Sequence, residues 1–452
     1  MSGPQPNYQS ISNWGVSETS SSSGRRRRSS VLAGLVPGPL REHGLGVVTA
    51  AIFIVGEMAG SGVLALPKAV VDSGWVGLVL VIYFCVNSCY GGTRLGVCWE
   101  IIEERYPEHR GLVRNPYPMI AQYAVGTWGR ILVTICVQIT LFGAGVVYLL
   151  LASQIIQDLL KNVFPNIGYC MWFMIFAVCI TPPMWLGSPK DFRLVGFLAV
   201  MTTVLSCIFI FVQIISEGIA STEHVPHAPK GAMDFFLAFG VILFSFGGAS
   251  TFPTIQNDMI DRSQFKSSVY MGFAVILMLY LPISFASYFV FGDRTEPNII
   301  LSLGDGPNVL CANLFMALHL FMAFLIVVNP VCQDIENMFN VPHEFGMWRC
   351  VVRTVLVLLM VIVGESIPQF SKILALVGGS TITLLTFVLP NFFYMKLCDQ
   401  KSPAWTRRKI PLHSRIYMWE IILIGISGGF AATYSACHAI FSSQFSKPCY
   451  MW

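Results

Sequence analysis

The sequence predicts an all-α polytopic membrane protein with eleven transmembrane helices, arranged as a five-plus-five inverted repeat plus one extra helix. Hydrophobic residues make up 54% of the chain and charged residues 12%, and the mean hydropathy is +0.65, whereas about a quarter of the residues in soluble domains are charged. Apolar runs of roughly 20 residues, the length that crosses a bilayer, recur along the chain. We expect spans near residues 46–71, 75–99, 131–157, 169–187, 194–215, 233–256, 268–291, 309–333, 350–366, 371–395 and 416–440.

The distribution of Lys and Arg predicts the orientation of these spans. Positive charge accumulates in cytoplasmic loops, and most of the 28 Lys and Arg residues fall on the same side as the N-terminus. We therefore expect a disordered cytosolic tail at 1–44 with four arginines at 25–28, a transmembrane domain at 45–440 and a short non-cytoplasmic C-terminus at 441–452. The loop at 100–128 is expected to be a solvated connector, with a short interfacial helix near 116–126 as the alternative.

The cysteines and the net charge indicate neither a metal site nor a nucleic-acid-binding surface. The 13 cysteines are scattered and include no Cys-x-x-Cys pair, which is typical of small core residues. Cys170 and Cys449 both fall on the predicted non-cytoplasmic side and are candidates for a disulfide. Because the net charge of +4 comes from loop residues, we expect no nucleic acid partner, and we expect no cofactor.

The first span is interrupted near its middle. Within residues 53–67, three glycines, Ser61 and Glu57 interrupt a stretch that otherwise has the composition of a spanning helix. In a bilayer such residues are tolerated where a ligand or an aqueous cavity satisfies the freed backbone groups. We therefore predict a broken helix whose second half begins near Ser61 and directs backbone N–H groups toward a carboxylate.

The sixth span carries a second break, at residues 244–253. Five helices separate corresponding points of the two halves, and because five is odd the second half crosses the membrane in the opposite sense. Interrupted helices at matching positions of two inverted halves indicate a transporter site at the bilayer midplane. The first half of this span is expected to end near Ser245, where its carbonyl groups suit an ammonium group.

Together the two breaks predict a binding site for a zwitterion. The ammonium group is expected near the carbonyls of Val55, Phe244 and Ser245. For any one glycine the alternative is close helix packing, but two glycine clusters at related positions favour binding. Several aromatic residues, among them Tyr148 and Tyr280, are candidates for the pocket wall, and we single out Phe246 because it lies in the break itself. The predicted binding residues are Val55, Gly56, Ala59, Gly60, Ser61, Gly62, Phe244, Ser245, Phe246, Gly247, Gly248 and Ser250.

Two ionisable residues are candidates for proton coupling. Glu57 is the only acidic residue that the predicted spans place deep in the membrane, where an ionised side chain costs about 2.5 kcal/mol or more. It is either a coupling group that binds and releases a proton, or a structural carboxyl that accepts hydrogen bonds from N–H groups at the break. His319 is the only histidine in the middle of a span, and a packing role is the alternative for it.

The eighth span indicates which ion is coupled. Residues 314–328 contain no Ser or Thr, the hydroxyl oxygens that a sodium site at this helix would recruit, because hard cations bind oxygen ligands. The composition of this span therefore favours protons over sodium.

Several motifs resemble the amino acid/auxin permease family of transmembrane amino acid transporters. They are LFSFGGASTFPTIQNDM at 243–259, GSGVLALP ending at Pro67 and followed by Gly74 and Trp75, and similar stretches at 148–155, 280–293 and 379–390. The resemblance covers about residues 45–440. It implies a leucine-transporter-type fold, a cytosolic N-terminus and secondary transport of amino acids driven by protons or, in some branches, by sodium.

The same resemblance places the family's unwound helices on two segments of this chain. The unwound part of the first helix falls on residues 56–62 and that of the sixth on residues 245–250. Glu57 departs from branches of the family that carry an uncharged residue at the break.

These observations predict a secondary active transporter, not an enzyme. We expect proton-coupled symport of small neutral amino acids, with sodium coupling or an amino acid sensor of the same fold as alternatives. No His-Glu-x-x-His motif is present, which argues against zinc-dependent hydrolysis. The plasma membrane and a lysosomal or vesicular membrane remain alternatives, and the sequence indicates no protein partner.

Overall fold

The computed structural model describes residues 44–111, 113, 115–186, 192–220, 225–228, 230–342 and 344–442, with the backbone alone at 192 and 193. The expected disordered tail at 1–43 and nearly all of the expected C-terminal segment lie outside these residues. Cys170 is disulfide-bonded, but its expected partner Cys449 also lies outside them, so that pairing stays a prediction.

The described chain is helical, and its β-structure is limited to an isolated bridge between Leu45 and Met259. Short 3₁₀ turns join several of the helices. The helices are α1 Val47–Met58, α2 Ser61–Ser73, α3 Trp75–Arg105, α4 Pro116–Val125, α5 Thr127–Leu160, α6 Tyr169–Leu186, α7 Phe192–Ala220, α8 Ala232–Ser245, α9 Phe252–Asn257, α10 Phe265–Val290, α11 Pro307–Met338, α12 Met347–Ser366, α13 Phe370–Val377, a π-helix Gly378–Val388, α14 Leu389–Asp399 and α15 Leu412–Ser442.

The helices match the predicted spans in order and position. Within the described residues, nine helices are long and apolar enough to cross a membrane, and the pair α1 and α2, bent by 58°, adds a tenth. Helix α8 is apolar but has only 14 residues, and α9 follows it after the second break. The count of eleven therefore stays a prediction that depends on α8 and α9 crossing together.

One expectation about the loops was wrong. The segment expected to be a solvated connector contains the ten-residue helix α4, with Tyr117, Ile120, Ala121 and Ala124 buried. The buried hydroxyl of Tyr117 donates to the Leu385 carbonyl at 2.6 Å. These apolar side chains pack against the transmembrane helices, so α4 is part of the fold.

The tenth predicted span contains the π-helix Gly378–Val388, which is wider than an α-helix and packs against α8. The Thr383 hydroxyl donates to the Gly378 carbonyl at 2.7 Å within the π-helix. A Cβ atom at Gly378 would lie 2.0 Å from the Gly240 carbonyl oxygen of α8, so only glycine permits this approach. The Thr140 hydroxyl of α5 donates to Thr381 at 2.7 Å. Since π-helices are rare and frequent at functional sites, this segment marks the neighbourhood of the two breaks.

Candidate functional site

The first break consists of Ala59 and Gly60, between the end of α1 and the start of α2. The Ala59 N–H turns back to the Val55 carbonyl at 2.7 Å, whereas the Gly60 N–H has no backbone acceptor in the described chain. No side chain caps the start of α2, and the first N–H groups of any helix lack intrahelical partners. The N-terminal end of α2 therefore presents backbone donors and a positive dipole end to the break.

The second break, residues 246–251, lies directly beside the first. A Cβ atom at Gly62 would lie 3.0 Å from Cα of Ser245, and one at Gly248 would lie 2.7 Å from Cγ of Met58. The Ser245 hydroxyl also lies 3.4 Å from the Gly62 carbonyl oxygen. The start of α2 and the end of α8 thus face each other, which is the arrangement that the paired breaks predict.

The carbonyl ends of both breaks are capped by side chains from other helices. The Tyr280 hydroxyl of α10 donates to the Met58 carbonyl at 2.6 Å, and the Ser88 hydroxyl of α3 donates to the Phe246 carbonyl at 2.8 Å. The Phe244 carbonyl accepts the N–H of Gly247 at 2.9 Å. These bonds satisfy backbone acceptors that the breaks would otherwise leave exposed.

Two polar side chains from other helices lie close to Gly60. A Cβ atom there would lie 2.8 Å from Nε2 of His319 on α11 and 3.4 Å from the hydroxyl oxygen of Tyr148 on α5. Both residues are buried. The two side chains lie so close to the backbone at Gly60 that a side chain there would collide with His319.

Glu57 is half-buried at the wall of a cavity of about 760 Å³. The cavity also reaches Ser250 and Thr254 beside the second break, and its lining extends to Leu45 just before α1 and to Asp334 near the end of α11. The described residues offer the Glu57 carboxyl no hydrogen-bond or ion-pair partner, so the structure gives no support to a structural capping role.

The remaining predicted residues divide between the breaks and packing contacts. A Cβ atom at Gly56 would lie 2.7 Å from Cγ2 of Val200, and one at Gly247 would lie 2.6 Å from Ile382, which are the contacts of closely packed helices. Phe246 is fully buried with its ring centre 5.6 Å from that of Tyr280. Phe246 is itself part of the second break, and the packing of its ring stabilises the backbone there.

The model of the transmembrane amino acid transporter protein family matches residues 43–437. The chain belongs to this transporter family. Its curated relatives include the amino acid transporters AVT1C and AVT1E of Arabidopsis thaliana. AVT1C is 24% identical over 396 residues, which cover 85% of this chain and 68% of AVT1C. AVT1E is 26% identical over 401 residues, which cover 84% of this chain and 71% of AVT1E. The transporter is thus a multi-pass integral membrane protein of a family that is not enzymatic.

Solved structures of other transporters share its architecture. One is MHP1, a nucleobase-cation-symport-1 family transporter in a closed conformation with bromovinylhydantoin bound, with a TM-score of 0.56 and 14% identity over 91% of this chain and 96% of that one. Another is MhsT in complex with L-phenylalanine, with a TM-score of 0.55 and 13% identity over 88% and 100%. At these identities the likeness concerns the fold, which is the leucine-transporter type expected from the sequence.

Sequence reasoning did not single out the side chains that complete the two breaks. Tyr148 and Tyr280 were two of several aromatic residues near the expected site, and Ser88 carried no signal. Tyr280 and Met58 are 222 positions apart in the chain. Such partners become visible only when packing places a hydroxyl beside a break.

Replacing Tyr280 with phenylalanine is expected to loosen the end of α1. The change removes the only side-chain donor to the Met58 carbonyl in the described chain, and an unsatisfied buried polar group costs about 1–3 kcal/mol. Thermal unfolding of the purified transporter, followed by tryptophan fluorescence, measures the loss. Tyr434→Phe, at an exposed position of α15, is the matched control, and equal unfolding temperatures for the two variants would contradict the capping role.

Proposed function

We propose that this transporter carries small neutral amino acids by proton-coupled symport with alternating access. The observation that carries the proposal is the unpartnered carboxyl of Glu57 at the wall of an open cavity, next to two breaks with free backbone donors. The names of the Arabidopsis relatives, which are amino acid transporters, support the class of substrate.

The substrate carboxylate would bind at the start of α2. The N–H groups of Gly60, Ser61 and Gly62 point into the break, and a helix N-terminus favours a negative charge. Among the described residues, the side chains found at the breaks include Met58, Ser88, Tyr148 and Tyr280, which are uncharged, and Glu57 lies beside them on the cavity wall. We therefore infer a neutral substrate side chain, and the crowding of Tyr148 and His319 at Gly60 supports a small one.

Proton coupling follows from the cost of closing the cavity around Glu57. While the cavity is open, water solvates the ionised carboxylate. When the site closes, an unpaired charge would lie in a low-dielectric interior, which is strongly unfavourable. A proton on Glu57 removes this cost, so closure is favoured when proton and substrate are both bound. With the N-terminus in the cytosol, as the Lys and Arg distribution predicts, the cavity faces the cytosol.

Neutralising Glu57 is expected to uncouple transport from protons. In proteoliposomes, a pH difference of one unit supplies about 1.4 kcal/mol per proton and so supports about tenfold accumulation of radiolabelled alanine by the wild type. Glu57→Gln should lose this accumulation and retain exchange of internal for external alanine. The matched control is Asp305→Asn, whose carboxyl is 89% exposed, and it should accumulate alanine like the wild type.

The same assay separates the rival functions. Accumulation that follows a sodium gradient and persists in Glu57→Gln would replace the proton proposal by sodium coupling. Specific binding of alanine without accumulation under either gradient would instead identify a sensor.

A further inference from the structure

A buried nitrogen of α11 faces the first break without a partner. His319 is 0% exposed, and its Nε2 atom has no hydrogen-bond partner in the described chain. This is the atom that a Cβ at Gly60 would approach to 2.8 Å. An unsatisfied buried polar atom costs about 1–3 kcal/mol, so a ligand group that satisfies it gains that energy.

The hydrogen bonds at the opposite nitrogen determine which tautomer His319 adopts. Nδ1 lies 2.9 Å from the Ala199 carbonyl oxygen and within hydrogen-bond distance of the Thr203 hydroxyl oxygen. The Thr203 hydroxyl also lies 3.0 Å from the Ala199 carbonyl, to which it donates. Because a carbonyl oxygen only accepts, Nδ1 must carry the hydrogen. Nε2 is then unprotonated, and it presents a lone pair to the break.

We propose that Nε2 of His319 accepts a hydrogen bond from the substrate's ammonium group and makes the transporter selective for amino acids with a free amino group. This inference rests on the proposed function and assigns His319 a recognition role in place of the proton-coupling role expected from the sequence. A carboxylate has no hydrogen to offer this lone pair, whereas an ammonium group has three.

The usual backbone acceptors at the breaks are already engaged, which leaves His319 as a strong additional acceptor. The Val55 and Phe244 carbonyls accept backbone N–H groups at 2.7 and 2.9 Å. The Met58 carbonyl accepts the Tyr280 hydroxyl. Of the carbonyls that the sequence indicated, only that of Ser245 has no hydrogen bond recorded in the described chain.

The position of Nε2 suits an α-amino acid whose carboxylate is bound at the start of α2. The His319 nitrogen lies close to the backbone of Gly60 at the start of α2, and the carboxylate and amino group of the substrate are attached to one carbon, so one substrate can reach both when the site opens. The Tyr148 hydroxyl limits the space there from the side, 3.4 Å from the point that a Cβ atom at Gly60 would occupy. A methyl group on the substrate nitrogen would both remove a donor and collide with this wall.

Competition binding tests the proposal on the purified full-length transporter. Radiolabelled alanine is displaced by alanine, by N-methylalanine and by N,N-dimethylalanine, and the wild type should bind each methylated compound progressively more weakly. His319→Phe should weaken alanine binding by about 10- to 100-fold, as expected for a hydrogen bond to a charged group, and should compress the differences among the three compounds. His319→Gln, which retains an acceptor oxygen, should keep part of the discrimination.

The neighbouring threonines provide a matched pair. Thr203→Val removes the hydroxyl beside Nδ1 and should weaken the discrimination, because the tautomer is then held by the Ala199 carbonyl alone. Thr202→Val should not, since the Thr202 hydroxyl bonds only to the Leu198 and Ala199 carbonyls in the described chain. If His319→Phe does not fold, His319→Gln and Thr203→Val decide the question.

Two outcomes would overturn the proposal without affecting the proposed function. One is full discrimination among the three compounds in the His319 variants. The other is that the His319 variants shift the pH dependence of uptake but still discriminate among the three compounds as the wild type does. That result would make His319 a proton-binding group. Failure of the proposed function is recognised separately, by the absence of proton-driven alanine accumulation in the wild type.

Discussion

Gly60→Ala is expected to weaken amino acid uptake strongly while the transporter stays folded. The added methyl group would lie 2.8 Å from Nε2 of His319 and 3.4 Å from the Tyr148 hydroxyl, and so would occupy the space proposed for the substrate. Inserting a methyl group into a packed site costs about 1–3 kcal/mol, which corresponds to a loss of affinity of roughly 5- to 150-fold. Uptake of radiolabelled alanine in proteoliposomes measures the effect.

Gly46→Ala is the control for this substitution. Gly46 precedes α1 at the start of the same broken span, and a Cβ atom there would meet nothing within 4 Å. The Gly46→Ala variant should transport at the wild-type rate, and both variants should elute as single species in gel filtration. Wild-type uptake by Gly60→Ala would show that the first break does not hold the substrate.

Glu336→Gln is expected to produce the largest loss of stability. Arg353 of α12 is fully buried, and its Nε donates to the Glu336 carboxylate of α11 at 2.6 Å, while its Nη1 donates to the Met184 carbonyl of α6 at 2.6 Å. Glu336 is equally buried. Removing one partner of a buried ion pair leaves an uncompensated charge and costs about 3–5 kcal/mol. The unfolding temperature of the purified transporter should fall accordingly.

A surface pair and a double variant sharpen this prediction. Arg415 and Asp399 form a pair at 2.6 Å whose side chains are 37% and 51% exposed, so Arg415→Met should cost less than about 1 kcal/mol. Glu336→Met combined with Arg353→Leu should recover much of the loss, because apolar residues can replace a buried pair. If Glu336→Gln and Arg415→Met unfold at the same temperature, the buried pair does not stabilise the junction of α6, α11 and α12.

The sequence located the two breaks but did not indicate which charged residues near helix ends pair. Glycines in an otherwise apolar span act locally, and α1 ends at Met58 and α2 begins at Ser61, as the pattern predicts. Arg353, by contrast, lies near the start of the expected ninth span and Glu336 just beyond the expected eighth span, and their positions along the chain do not indicate that they pair. Their burial depends on a carboxylate and a guanidinium meeting between two helices, which a hydropathy pattern does not encode.

The sequence by itself determined the membrane class, the order of the helices and the place of the two breaks, because hydropathy and backbone strain depend on neighbouring residues. The tertiary structure decided which polar groups meet at those breaks. His319 and Thr203 are 116 positions apart and Ser88 and Phe246 are 158 apart. In a membrane, a polar group gains most by finding a partner inside the protein, and only packing determines which partner is within reach.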